Sequence, residues 1–105
     1  MMNLKISALE FVEEAKNGNI SVEDFIGKTL ERIDSVEDKL HAFLSINDKA
    51  LDQARELDKK IKSGEDVGYC FGMPISIKDN MCIKNSKTTC ASKMLENFIA
   101  PYDAT

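Results

Sequence analysis

Long hydrophobic runs are missing from the 105 residues, so nothing in them predicts a membrane-spanning helix. The first residues, Met-Met-Asn-Leu-Lys, lead straight into charged sequence, and no signal peptide is expected. Cysteine is scarce. Cys70, Cys82 and Cys90 are odd in number and irregularly spaced, which argues against a disulfide framework. No Cys-x-x-Cys pair suggests zinc, and no metal site is expected. Reduced thiols in a cytoplasmic protein are the plain reading. An excess of positive charge is missing too. Against 18 acidic side chains there are 14 basic ones, a formal net charge of −4. The chain therefore has no general electrostatic pull toward nucleic acid. Internal repeats and low-complexity tracts are absent. What is present, 43% hydrophobic and 30% charged residues, suits one small globular domain with a limited core.

The chain changes character near residue 66. Residues 1–66 hold 15 acidic and 10 basic groups, a net of −5; residues 67–105 hold 3 and 4, a net of +1. Both prolines and all three cysteines lie in the second part. The charged front predicts three helices. Ser7 and Glu10 form a capping box, Leu9, Val12 and Ala15 follow as the apolar stripe, and Asn17-Gly18 stops the helix. Ser21 caps the second helix, with Val22, Phe25, Ile26, Thr29, Leu30 and Ile33 on one face. The third runs from about Asp48 to Ser63, with Ala50, Leu51, Ala54, Leu57 and Ile61 as its stripe and Gly64 as its stop. Two short strands are predicted, His41–Ile46 and Met73–Ile77, and the helix between them suggests a parallel βαβ unit. Thr88 or Thr89 is expected to cap one more helix through about Asn97. The fold class expected is α/β. Phe25, Phe43 and Phe71 read as core, and His41 as a helix-end or surface residue.

Lys78 is the residue with chemical promise. It stands where an apolar segment meets the polar turn Asp79-Asn80. A lysine stripped of water there would offer a neutral amine, which is a usable base where a solvated ammonium is not. On spacing alone an exposed turn lysine is the commoner outcome.

The surrounding residues shift that balance. Gly72-Met73-Pro74-Ile75-Ser76-Ile77-Lys78-Asp79-Asn80 resembles the first signature of the amidase-signature family. Thr88-Thr89-Cys90-Ala91-Ser92-Lys93-Met94-Leu95-Glu96-Asn97-Phe98, followed by Pro101-Tyr102-Asp103-Ala104-Thr105, resembles the glutaminase branch of the tRNA-dependent amidotransferases more than other amidases. The likeness runs over nearly the whole chain and is strongest from Gly72 onward.

The resemblance implies a Ser–cis-Ser–Lys triad, with Lys78 as the base that works through a bridging serine on a nucleophilic serine. Asp79 and Asn80 match the family's residues after the lysine and are expected to fix the turn and orient Lys78 by hydrogen bonds, with an ordinary Asx turn as the plain alternative. Thr88, Thr89 and Cys90 are candidates to face the pocket, against the plainer reading of a helix cap and a small buried residue. The resemblance implies a fold of helices packed on a mixed sheet, with residues 1–105 as the N-terminal part of one amidase domain. The implied reaction is glutamine hydrolysis within a heteromeric enzyme that converts Glu-tRNA(Gln) to Gln-tRNA(Gln). ATP and magnesium would belong to a partner subunit, and tRNA would be met only through that partner. No Gly-Gly-Ser-Ser-like run occurs here. The expectation is that this chain alone is inactive. The alternatives are a small-amide amidase of the same family, and a docking or structural piece without activity.

Overall fold

Ser7 and Ser21 begin two helices for the same reason. The side-chain oxygen of each accepts a backbone N–H that the first turn leaves without a partner: Glu10 N–H for Ser7 and Asp24 N–H for Ser21, both at 3.2 Å. The computed structural model describes residues 3–105. Its helices are α1 (Ala8–Lys16), α2 (Val22–Leu40) and α3 (Ala50–Lys62), with a 3₁₀ turn at Lys93–Leu95. The chain divides into two compact units, Met1–Pro74 and Ile75–Thr105.

All three α-helices lie in the first unit. Phe11, Val12 and Ala15 of α1 are buried with Val22, Phe25 and Ile26 of α2, Ala54 of α3 and Phe71. The Phe11 and Phe25 ring centroids are 4.3 Å apart, tilted by 37°. Leu51, Leu57 and Ile61 pack partly buried against this cluster. The expected α1 stripe needs one correction. Leu9 is 80% exposed and Phe11 takes the core position, because a turn of about 100° per residue puts Phe11, Val12 and Ala15 on one face and Leu9 on another.

Helix α2 has a second cap that comes from far along the chain. The Asp58 carboxylate of α3 accepts from Val22 N–H at 2.8 Å, Glu23 N–H at 3.0 Å and the Ser21 hydroxyl at 2.9 Å. It thereby pins the start of α2 to the middle of α3. A carboxylate at a helix N-terminus is also favoured by the helix dipole. Helices α1 and α3 both end in a Schellman pattern. Gly18 and Gly64 are left-handed, and the N–H groups of Asn19 and Glu65 reach back to the carbonyls of Glu14 and Lys60. His41 ends α2 in the left-handed region at φ 49°, its N–H donating to the Glu37 carbonyl.

Neither predicted strand forms among the described residues, and the βαβ unit expected between them is therefore absent there. His41–Ile46 is exposed, and Phe43, expected in the core, is 38% exposed, its N–H donating to the Glu37 carboxylate. Met73–Ile77 forms no regular element and has no ladder partner among the described residues. Branched residues favour a strand only where a neighbouring strand accepts their backbone groups. The helix predicted from Thr88 or Thr89 to Asn97 shrinks to the single 3₁₀ turn. Cys90 and Ala91 adopt φ of 49° and 59°, which a right-handed helix cannot include.

Gly72, at the head of the signature, has a packing reason to be glycine. Its φ is +71°, and a Cβ there would come within 2.8 Å of a Val22 methyl carbon.

Candidate functional site around Lys78

The second unit has no helix longer than one 3₁₀ turn, so polar contacts give it shape. Lys87 and Ile99 form an isolated antiparallel bridge. It is flanked by Asn85 N–H to Ala100 C=O at 2.8 Å, Ala100 N–H to Ser86 C=O at 3.0 Å and Thr88 N–H to Phe98 C=O at 3.2 Å. The Asp103 carboxylate accepts from Lys84 N–H at 2.7 Å.

Lys78 lies in this unit and is exposed. Its carbonyl accepts Met81 N–H at 3.0 Å, closing a turn over 78–81. Among the described residues its amine makes no hydrogen bond or ion pair. Asp79 does not turn back to that amine. Its carboxylate accepts from both the N–H of Thr89, at 3.0 Å, and the Thr89 hydroxyl. The Asp79 carbonyl accepts Cys90 N–H at 3.2 Å. Thr89 thus binds across the loop and caps no helix. These bonds hold the Asp79 carboxyl below the usual carboxylate range. The Thr89 hydroxyl is the largest cause and its N–H the next, with smaller help from the N–H groups of Ala91 and Cys90.

Asn80 is exposed beside Lys78. Thr88 is 4% exposed, and its hydroxyl oxygen has no hydrogen-bond partner among the described residues. The structure therefore joins Lys78, Asp79 and Thr89 through backbone and carboxylate. Thr88 stands apart as a buried, unsatisfied hydroxyl. Residue-by-residue reading did not find the Asp79–Thr89 pairing. The two positions are ten residues apart, and the left-handed residues Asn85, Cys90 and Ala91 are among the turns of the stretch that contains them.

Other features are less suited to chemistry. An open apolar groove of about 400 Å³ lies in the first unit, lined by Phe11, Phe25, Ile33, Met73 and Pro74 with Arg32 at its side. The residues predicted as the site are not among its lining. Among the described residues no group of three or more His, Cys, Asp and Glu is placed to hold a metal ion, and no helix is long and apolar enough to cross a membrane. The cysteines are free thiols, with Cys70 and Cys90 exposed.

Comparison with known proteins gives the arrangement a family. The A subunit of glutamyl-tRNA(Gln) amidotransferase from Cenarchaeum symbiosum is 48% identical over 99 residues, covering 94% of this chain and 20% of that protein. Its namesake from Clostridium kluyveri is 46% identical over 105 residues, covering 99% of this chain and 21% of its own length. The chain thus spans about a fifth of the length of the curated relatives it matches. A chain from a solved vestigial protein complex, reported for the evolutionary origins of an s-triazine catabolic enzyme, superposes with a TM-score of 0.85 over 93% of this chain and 22% of its own. At 22% identity that likeness speaks for the fold alone. The model of the Amidase family matches residues 24–105, and the chain belongs to that family.

Proposed function

We propose that this chain is the Lys-bearing segment of the glutaminase subunit of a tRNA-dependent amidotransferase. The observation that carries the reading is the likeness to these amidotransferase subunits over 94–99% of the chain at 46–48% identity, taken with an exposed, unpaired Lys78 amine at the end of the signature. In this reading Lys78 is the general base. It accepts the proton of a nucleophilic serine through a bridging serine, and the serine attacks the side-chain amide carbon of glutamine. The proton then goes to the departing nitrogen, and ammonia leaves an acyl-serine that water hydrolyses to glutamate. Both serines would come from elsewhere in the full-length protein, since no Gly-Gly-Ser-Ser-like run occurs in this chain. The isolated chain is accordingly expected to hydrolyse no amide.

The same reading gives Met73–Ile77 a role in the whole protein. Ile75 and Ile77 lie two residues apart and are 67% and 51% exposed. Alternation of this kind suits one strand of a mixed sheet whose other strands lie outside residues 1–105. Glutamine is the substrate bound near Lys78. Partner subunits supply ATP, magnesium and the tRNA contact, and the assembly is cytoplasmic.

The test is a graft. Residues 1–105 replace the matched segment of the Clostridium kluyveri protein, the chimera is assembled with its partner subunits, and ammonia release is measured. Turnover of glutamine well above asparagine and simple amides is expected. Turnover of simple amides with none of glutamine would refute the glutaminase reading.

A further inference from the structure

Four hydrogen bonds converge on the dipeptide Lys78-Asp79, and none of them uses the Lys78 amine. The Lys78 carbonyl takes Met81 N–H, the Asp79 carbonyl takes Cys90 N–H, and the Asp79 carboxylate takes both the N–H and the hydroxyl of Thr89. The Thr89 donors lie just before two consecutive left-handed residues, Cys90 and Ala91. Non-glycine residues hold such a conformation only where their surroundings enforce it.

The location of the carboxylate has a chemical consequence. Asp79 follows Lys78 directly, and a free carboxylate one residue from an ammonium is an available ion-pair partner. Thr89 occupies both carboxylate oxygens and directs them across the loop. The lysine amine is left without a neutralising partner, and its backbone is tied on the C-terminal side.

We propose that Asp79 is the positioning residue for Lys78: its two-point grip on Thr89 closes the 79–90 loop and fixes the backbone from which Lys78 projects, while keeping the carboxylate off the Lys78 amine. The proposal rests on the reading of Lys78 as the base. Asp79 does not touch substrate in it, and Thr89 is the other half of the grip. A shift of the base by a fraction of an ångström is enough to slow a proton transfer that depends on alignment.

Two measurements test it. In the chain itself, slow hydrogen exchange at the Thr89 amide is expected, and Asp79→Ala should abolish it. A Thr89 amide that exchanges as fast in the unsubstituted chain as in D79A overturns the proposal without an assay of turnover. In the grafted, assembled enzyme, D79A is expected to lower kcat by on the order of 10- to 100-fold with a much smaller change in KM. Asp79→Asn, whose amide oxygen can accept Thr89 N–H and whose NH₂ can donate to the Thr89 hydroxyl, should recover most of that loss. Equal losses in D79A and D79N would overturn the grip as the cause. Should D79A fail to fold, Thr89→Val decides. It removes one hydroxyl at nearly constant shape, and a fall in kcat of at least about threefold, restored in Thr89→Ser, is expected. Unchanged kcat in T89V overturns the proposal. Lys78→Ala separates the two ideas. A dead K78A beside a fully active D79A defeats the positioning role alone, whereas an active K78A defeats the base reading and the proposal with it.

Discussion

The two units of this chain are held by different physics. In Met1–Pro74 the apolar faces of α1, α2 and α3 bury one another around Phe11, Val22 and Phe25, and capping sets where each helix starts and stops. In Ile75–Thr105 Ala100 and Thr88 are buried, but Ile75, Ile77, Met81, Met94 and Phe98 are exposed. That unit takes its form from single polar contacts, chiefly Asp79 with Thr89, Asp103 with Lys84 and the bridge at Lys87. The contrast assigns stability to the helical unit and precise placement of a few groups to the other. Burial is non-directional and tolerates small changes of shape; a hydrogen-bonded loop fixes one geometry and loses it when one partner goes.

The largest expected effect breaks the first half of this contrast. Phe11 is 2% exposed and packs on Phe25. Phe11→Ala should cost about 3–5 kcal/mol, enough to unfold much of a small helical unit. Urea denaturation followed by far-UV circular dichroism measures it, and a cost below about 1 kcal/mol would mean that burial does not hold the unit.

Asp58 comes next. Its carboxylate accepts from three donors at the start of α2. Asp58→Ala removes a cap and strands partly buried N–H groups, for a loss of about 1–3 kcal/mol. Asp58→Asn keeps an acceptor and should lose less. Equal midpoints for wild type and D58A in the same denaturation would remove Asp58 from the account.

The third effect is one of pH and belongs to the second unit. Folding depresses the Asp79 carboxyl below its ordinary value of 3.8. A depressed acid contributes stability that is fully present above its unfolded value and disappears as pH falls through the lower folded value. The Thr89 amide proton shift, followed by NMR, should therefore titrate with a midpoint below 3.8. A midpoint at or above it would contradict the grip. The smallest effect is at Arg55, which bridges Glu23 of α2 and Asp52 of its own helix at 2.8 Å each. Both pairs are solvent-exposed, so Arg55→Ala should change stability by only about 0.2–1 kcal/mol, and less in high salt.

The same contrast governs what could be read from the sequence. The three helices were legible because their signals are local: Ser7 and Ser21 as caps, Gly18 and Gly64 as stops, and a stripe of helical period through Val22, Phe25 and Ile26. Leu9 was misplaced because a short helix offers two neighbouring faces to an apolar pattern. Asp58 as a cap was not legible, since it lies 37 residues from Ser21 and nothing local marks it. The strands at His41–Ile46 and Met73–Ile77 were expected from branched, aromatic sequence, but a strand exists only with a partner, and partnership is non-local. At the candidate site, Lys78 was legible as a residue through the signature, and the Asp79-Asn80 turn with it. The use of Thr89 was not. Its hydroxyl looked like a helix cap, whereas the left-handed pair Cys90-Ala91 turns the chain and gives that hydroxyl to Asp79.

Everything proposed for this chain's chemistry depends on Lys78 being the base of an amidase reaction. The decisive quantity is kcat for ammonia release by the assembled, grafted enzyme carrying Lys78→Ala. A fall of about a thousandfold or more is expected, with KM for glutamine little changed, because groups that act as one catalytic unit fail together. A variant that keeps kcat and only raises KM would contradict the assignment, showing that Lys78 binds substrate and that another group takes the proton.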